Sequence, residues 1–308
     1  MEINHQKQQW ASLALILVNL IYGASHVIAK GVMPNFLSPT VFIFFRVIGA
    51  VGLFWMISIF LKFKKIERVD ILRFLACGIF GVTTNQLLFF HGLNASSPMN
   101  AGIIMALNPI MVAILSFFWL KERLSSTQWI GILIGSVGAI SLTTYGTKNI
   151  EAQQGDWFLI GNSLSYAIYL ILVKPLMHKY QPIQVITWVF TFGSGFLFFF
   201  PLLYSDFNQT HLESIPMEIW FKIIFVIVGV TFLTYLLTVV GLKYVSPSIA
   251  AVFIYIQPIF VIAFSYLFAA LGWSADYTQA INQTSLLFMG VVFVGVYLTS
   301  QGSFKQTR

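Results

Sequence analysis

Gly92-Leu93-x3-Ser97-Pro98-x2-Ala101-x7-Pro109-Ile110-x-Val112 returns later in the chain as Gly241-Leu242-x3-Ser246-Pro247-x2-Ala250-x7-Pro258-Ile259-x-Val261. Eight identities stand in register over 21 positions without a gap, at a constant offset of 149 residues. Both copies lie in strongly apolar surroundings, so the chain reads as two copies of one membrane unit, a common way of building transporters.

Composition supports this. Of 308 residues, 58% are hydrophobic, 17% aromatic and only 9% charged, too apolar for a soluble domain. A bilayer-spanning helix needs roughly 20 apolar residues. Ten such segments can be marked at 10–31, 40–61, 72–92, 98–119, 128–145, 156–177, 183–204, 219–240, 247–268 and 284–301. The expectation is an all-α integral membrane protein with ten transmembrane helices. The first segment, with Gly23-Ala24-Ser25 as a cleavage region, has the look of a signal peptide. Against that, Tyr22 and Lys30 have the same spacing as Tyr166 and Lys174, so the segment has a partner inside the chain.

The net charge of +7 invites a nucleic-acid reading, but its distribution argues otherwise. With the N-terminus in the cytoplasm, thirteen basic residues fall on inward segments, namely Lys7, Lys62, Lys64, Lys65, Arg68, Arg73, Lys121, Arg123, Lys174, Lys179, Lys243, Lys305 and Arg308. Only Lys30, Lys148 and Lys222 fall outward, and Arg46 lies within the second helix. That is the positive-inside pattern. It predicts cytoplasmic N- and C-termini, with the lipid bilayer rather than nucleic acid as the partner. The single cysteine, Cys77, rules out an internal disulfide or a thiolate metal cluster.

The duplication divides the chain in the loop Gly146 to Gly155, giving repeats at 10–145 and 156–301 with five helices each. Because five is odd, the second copy enters the membrane the other way round. The halves are therefore expected to be two inverted five-helix repeats.

Within the repeated stretch, Ser97 and Ser246 stand where helix N-caps belong, and Pro98 and Pro247 at the first helical position, where a missing N–H is harmless. Pro109 and Pro258 follow eleven residues on, about 16 Å along the helix and near the bilayer centre. Each proline kinks its helix and frees a carbonyl one turn earlier, at Met105 and Ile254. Such carbonyls are tolerated where protein buries them or where they line a cavity. A carboxamide precedes each proline, Asn108 and Gln257. Packing kinks would explain one such site, whereas repetition at equal depth in both halves favours elements flanking a central site.

The run Gly81-Val82-Thr83-Thr84-Asn85-Gln86-Leu87-Leu88-Phe89-Phe90-His91-Gly92-Leu93 resembles the third helix of the EamA branch of the drug/metabolite transporter superfamily. Asn108-Pro109, Leu120-Lys121-Glu122-Arg123-Leu124 and Gln128-Trp129-Ile130-Gly131 continue the resemblance, as do Arg46 after Pro39 and Tyr22-Gly23 with Lys30. It covers nearly the whole chain and implies a ten-helix secondary transporter, commonly an exporter of amino acids or related metabolites, in the bacterial cell membrane. One departure stands out. Where the second half of the family usually carries a glutamate and a short basic loop, this chain has Leu271-Gly272-Trp273-Ser274-Ala275-Asp276, longer and without the glutamate.

The residues available for a substrate are neutral. Asn19 lies about 13 Å below Trp10, with Tyr22 about a turn further. Asn85 and Gln86 occupy the third helix, and the repeat sets Thr234 and Tyr235 at the matching positions. Tyr166 and Tyr169 lie on the sixth helix. With Asn108 and Gln257 they form a set of hydroxyls, carboxamides and aromatic faces. Each alone reads as inter-helical glue, but their recurrence on corresponding helices suits a pseudo-symmetric pocket for a neutral or zwitterionic small molecule. Arg46, about a turn and a half into its helix and within reach of the interface, is the basic residue to pair with a substrate carboxylate. Lys30 and Lys174 near helix ends are expected to snorkel to water.

All ten acids read as loop or helix-end residues, which argues against a carboxylate-borne proton cycle and against a metal site. His26 and His91 read as structural groups near outer helix ends. Gly131, Gly135, Gly138, Gly290 and Gly295 signal close helix contact, between the halves or between protomers, so monomer and homodimer both stay open. Nothing calls for a cofactor. An intramembrane enzyme lacks a nucleophile–base pair or a histidine cluster, and a passive channel or facilitator remains the main alternative to a carrier.

Overall fold

The computed structural model describes residues 5–119, 121, 123–145, 150–238 and 253–306. Among these residues the chain is helices and turns without a strand. The helices are α1 His5–Val32, α2 Pro39–Ser58, α3 Arg68–Ala95, α4 Pro98–Trp119, α5 Ser126–Tyr145, α6 Ile150–Lys179, α7 Pro182–Leu197, α8 Pro201–Gln209, α9 Met217–Thr238, α10 Phe253–Ala270 and α11 Gln283–Gln306. Eight of them are long and apolar enough to cross a membrane, and the bent pair α7–α8 would make nine. The apolar described part of α11, Gln283–Thr299, is shorter.

Local chemistry sets the helix starts. Ser38 accepts the Val41 amide at 3.2 Å and Ser97 accepts that of Asn100 at 3.1 Å, each with a proline next in sequence. Ser246 and Pro247 lie outside the described residues. In α4 the helix runs Pro98–Met105, turns through Ala106 and Leu107, and resumes at Asn108. There Ala106 N–H donates to the Ile103 carbonyl at 3.1 Å and Leu107 N–H to that of Ile104 at 2.9 Å. These tighter i→i+3 bonds take over where Pro109 leaves the α-ladder incomplete. In α10 a 3₁₀ turn, Phe253–Ile256, precedes the α-helix Gln257–Ala270 with Pro258 at its start.

A second irregularity is also shared. α3 contains a π-helical segment, Ile79–Thr83, and α9 contains one at Phe225–Leu233. An offset of 149 sets positions 79–83 on 228–232, inside the second segment. The halves thus repeat their departures from ideal helix as well as their residues.

The expected single helix over 183–204 is corrected. α7 ends at Leu197, and α8 leaves it at 74°. Pro201 opens α8, and Ser38 Oγ–H donates to Asp206 at 2.7 Å, tying α8 to the start of α2. Phe44 receives Phe198 and Phe207 edge-on, at 5.6 and 5.1 Å. Within the phenylalanine run, Phe199 is exposed, as a lipid-facing side chain would be.

The loop after α10 is ordered by its own turn chemistry. Gly272 has φ +69°. Trp273 N–H donates to the Phe268 carbonyl at 2.8 Å and Gly272 N–H to that of Ala269 at 3.1 Å. With the Trp273 ring 5.7 Å from that of Phe268, this is a Schellman ending with its hydrophobic contact. Lys222 then donates to the Trp273 carbonyl at 2.9 Å. Asp276 accepts both the amide and the hydroxyl of Thr278, which hold its carboxyl below the usual carboxylate range.

The glycines pack the halves of one chain together. A Cβ at Gly131 would lie 2.5 Å from the Thr299 nitrogen, and one at Gly295 would lie 2.2 Å from the Gly135 nitrogen, so α5 and α11 touch backbone to backbone. Gly290 has nothing within 4 Å and takes no part. Lys179, at the end of α6, pairs with Asp70 at 2.7 Å and Glu67 at 2.5 Å. Tyr180 donates to Asp70 at 2.8 Å, fixing the start of α3 against the end of α6.

Candidate substrate site

Arg46 organises the middle of the molecule. The helical frame of α2 carries its side chain inward, and the residue is 7% exposed. Nε–H donates to Thr231 Oγ1 at 2.7 Å and Nη1–H to Gln86 Oε1 at 2.6 Å. The guanidinium lies over the Phe90 ring at 5.0 Å. Nη2 makes no hydrogen bond, and no carboxylate pairs with Arg46, among the described residues. A buried cation held only by neutral groups keeps an unspent preference for an anion.

Gln86 comes from α3 and Thr231 from α9, so elements of both halves hold Arg46. Both partners follow from the π-helical segments. Thr231 lies inside one and bonds back to the Val226 carbonyl at 3.0 Å, while Gln86 follows the other by three residues.

Around the guanidinium stand the tyrosines. The Thr234 hydroxyl, whose proton goes to the Val230 carbonyl at 2.5 Å, accepts from the Tyr22 hydroxyl at 3.1 Å, joining α1 to α9. Tyr22, Tyr166 and Tyr235 are near enough to one another for their hydroxyls to interact electrostatically, and Tyr22 and Tyr235 also reach Arg46 in this way. Tyr166 and Tyr169 rings lie 6.0 Å apart, and Tyr169 packs on Gly81, where a Cβ would come within 2.4 Å of the ring. Only a glycine at 81 lets α3 approach the ring that closely. Tyr235 is braced edge-on by Phe190 at 5.4 Å.

Of the sequence-derived candidates, Tyr22, Arg46, Gln86, Tyr166, Tyr169, Thr234 and Tyr235 therefore form one group. Asn85 sits at its edge, bonded to α6: Asn162 Nδ2 donates to the Asn85 carbonyl at 2.8 Å, and Asn85 Nδ2 to that of Asn162 at 3.5 Å. Asn162→Ala removes the shorter bond and leaves the Asn85 carbonyl unpaired, so it is expected to lower stability by about 1 kcal/mol in mixed-micelle unfolding, with Asn85→Ala costing less. Asn19 spends its amide on the Leu15 carbonyl of its own helix at 2.8 Å. Asn108 keeps a buried Oδ1 without a partner, beside the break in α4. Gln257 is buried at the matching break in α10 and makes no side-chain hydrogen bond to a described residue.

The sequence did not single out Thr231, Phe90 or Asn162. Asn162 lies one turn before Tyr166 on the same face, a signal that helical periodicity does offer. Lys30 is a correction: it donates to the Asn94 carbonyl instead of snorkelling. His26 is buried, donating from Nδ1 to the Tyr22 carbonyl at 2.7 Å and meeting Phe89 edge-on. His91 is hydrogen-bonded to Thr40 at 3.2 Å. The expectation that every acid lies in a loop or at a helix end fails at Asp156, which is fully buried within α6, with Ser96 and Asn100 as its hydrogen-bond donors.

The chain is similar to several named transporters. It is 27% identical to the uncharacterized transporter YyaM of Bacillus subtilis (strain 168) over 286 residues, covering 91% of this chain and 92% of that protein. The uncharacterized transporter YetK of the same organism is 25% identical over 263 residues, covering 82% and 78%. The uncharacterized inner membrane transporter YhbE of Escherichia coli (strain K12) is 25% identical over 205 residues, covering 62% and 63%. A solved crystal structure of a protein 15% identical superposes with a TM-score of 0.56, over 95% of this chain and 97% of that one, and shares the fold. The model of the EamA-like transporter family matches twice, at 9–144 and at 153–301. With both matches together spanning nearly its whole length, this membrane protein belongs to the EamA-like transporter family.

Proposed function

We propose that the chain is a secondary transporter, and not an enzyme, that moves a small carboxylate-bearing metabolite of the neutral or zwitterionic amino-acid class across the plasma membrane by alternating access. In this reading the halves 10–145 and 156–301 are inverted repeats, both termini are cytoplasmic, and net movement is outward, the direction that the family resemblance implies. The observation that carries the reading is Arg46. It is a buried guanidinium with a free Nη2, held by neutral groups from both halves and within electrostatic reach of Tyr22 and Tyr235, with Tyr166 beside those two. A substrate carboxylate would complete the donor set of Arg46, while tyrosine faces and hydroxyls accept an apolar or weakly polar remainder. Asn108 and Gln257, at the breaks of α4 and α10, supply unspent carboxamides from each half.

The halves would rock about this group, exposing it to one side at a time. Purified protein in liposomes preloaded with unlabelled compound, tested against amino acids, sugars and nucleosides with and without a pH gradient, provides the test. Saturable uptake with trans-stimulation, confined to carboxylate-bearing compounds, is the expected result. Non-saturating flux would point to a channel. Saturable flux of sugars or nucleosides alone would remove the substrate class.

A further inference from the structure

Asp156 has no part in the arrangement around Arg46. It is 0% exposed, and its Oδ1 accepts the hydroxyl proton of Ser96 while Oδ2 accepts from Asn100 Nδ2 at 3.0 Å. Ser96 lies in the turn between α3 and α4 and Asn100 in the first turn of α4, both in the first half, and Asp156 belongs to α6, in the second. Beside it Gly92 and Gly155 bring the two backbones together, since a Cβ at Gly155 would fall 2.6 Å from the Ser96 nitrogen. The contact therefore closes one end of the seam between the halves, the outer end if the charge distribution orients the chain.

Among the described residues, the charged groups on the surrounding elements leave Asp156 without a counter-ion. Lys30 of α1 is committed to the Asn94 carbonyl, His91 of α3 to Thr40, and Glu151 on its own helix is itself acidic. The first helical stretch of α4, Pro98–Met105, carries no titratable side chain. As a carboxylate, Asp156 is a buried charge held by two neutral donors, a costly arrangement. As a carboxylic acid it is fully satisfied as well, because the Ser96 hydroxyl can turn from donor to acceptor while Asn100 still donates.

The duplication replaces all three residues of this contact in the other half. The spacing of Tyr22 and Tyr166 sets Asp156 opposite Ser12, and the 149-residue offset sets Ser96 and Asn100 opposite Val245 and Ile249. In sequence, none of these counterparts is ionisable, and the two that replace the hydrogen-bond donors are apolar. Where the seam of α1 and α10 falls among described residues, Ala11 and Leu15 bury against Phe253. Of these three pairs of positions, only the one holding Asp156 carries an ionisable group.

We propose that Asp156 is a proton-binding site linked to closure of the outer seam. Closing the seam removes the group from water and favours the bound proton; opening it returns the carboxylate to the outer solution and releases the proton. Closure is therefore favoured in acid and weakened as the external pH rises. The latch rests on the alternating-access reading, but not on the identity of the substrate.

Ser163, fully buried on α6 with its hydroxyl on the Ile104 carbonyl at 3.4 Å, provides a reporter deeper in the same seam. In a Cys77→Ala background, Ser163→Cys is treated from outside with a membrane-impermeant maleimide, and the rate is normalised to the exposed position Ser205→Cys to cancel the intrinsic pH dependence of the thiol. Between about pH 5.5 and about pH 8.5 the normalised rate is expected to rise about fivefold or more. Adding Asp156→Asn, which keeps the shape of the side chain but cannot ionise, should leave the rate low and flat. Should that variant fail to fold, Asn100→Leu removes one donor from the carboxylate and disfavours its charged form in the closed seam, so the rise should become larger and continue to higher pH. A flat but measurable rate in the parent, or a rise that survives Asp156→Asn, overturns the latch alone. Absence of labelling at every pH would mean that the seam does not open, and would overturn the latch and alternating access together.

Discussion

Arg46→Gln is expected to lower kcat/KM for carboxylate-bearing substrates about a hundredfold in liposome transport, with uptake of the corresponding methyl esters little changed. The glutamine keeps a hydrogen-bonding amide near Thr231 and Gln86, whose bonds to Arg46 are 2.7 and 2.6 Å long, but it removes the charge. A charge-assisted hydrogen bond in a buried site is worth about 3 kcal/mol at the upper end, and about 1.4 kcal/mol corresponds to tenfold. Arg46→Lys should recover only part of the loss. A lysine supplies the charge as a point, and cannot reach Thr231, Gln86 and a bound carboxylate with one rigid fork. If acid and ester were transported by wild type at equal rates, Arg46 would not be reading a carboxylate. If Arg46→Gln simply reduced the folded yield, the ratio of acid to ester flux in the surviving protein would still report on the role.

Gly295→Val should all but eliminate folded protein, seen as loss of the monodisperse peak in detergent and of cooperative thermal unfolding. A Cβ there would lie 2.2 Å from the Gly135 nitrogen, 2.4 Å from its Cα and 2.7 Å from the Gly131 carbonyl oxygen. All three are backbone atoms, so relief requires α5 and α11 to separate along their contact. Overpacking of this kind costs about 3 kcal/mol or more, a large part of the stability of most folded chains. Gly290→Val on the same helix meets nothing within 4 Å and should unfold as wild type does. Equal losses at both positions would show that the helix, and not the contact, is sensitive to β-branching.

The duplicated stretch and the apolar segments announced a helical membrane protein, because those signals depend on local composition and spacing. The bend after Leu197 was not legible in the same way. Phe196 to Phe200 continues the apolar run, and only the bonds from Ser38 and the rings of Phe44 reward the change of direction. In the candidate site, tyrosines and carboxamides stood out as polar residues in apolar helices. Thr231 did not, since a threonine in such a helix normally bonds to its own backbone, as it also does here. Asp156 was misjudged for a related reason. The expected helix began at it, whereas the helix starts at Ile150 and carries the acid inside the protein. Position along the sequence shows how near a residue lies to a helix end, but not what another element sets on top of it.

The π-helical segments of α3 and α9 bear on how such a molecule changes shape. Each accommodates residues beyond what an α-helix of the same rise would hold, and one residue of register in an α-helix amounts to a rotation of about 100° and a rise of about 1.5 Å. Gln86 and Tyr235 follow these segments closely along the chain. Winding a segment by one residue would turn its downstream side chain away from Arg46 while both helix ends stay packed. Under the alternating-access reading, torsion within two helices would act as a gear besides the hinge, rearranging the side chains around Arg46 before either half has tilted.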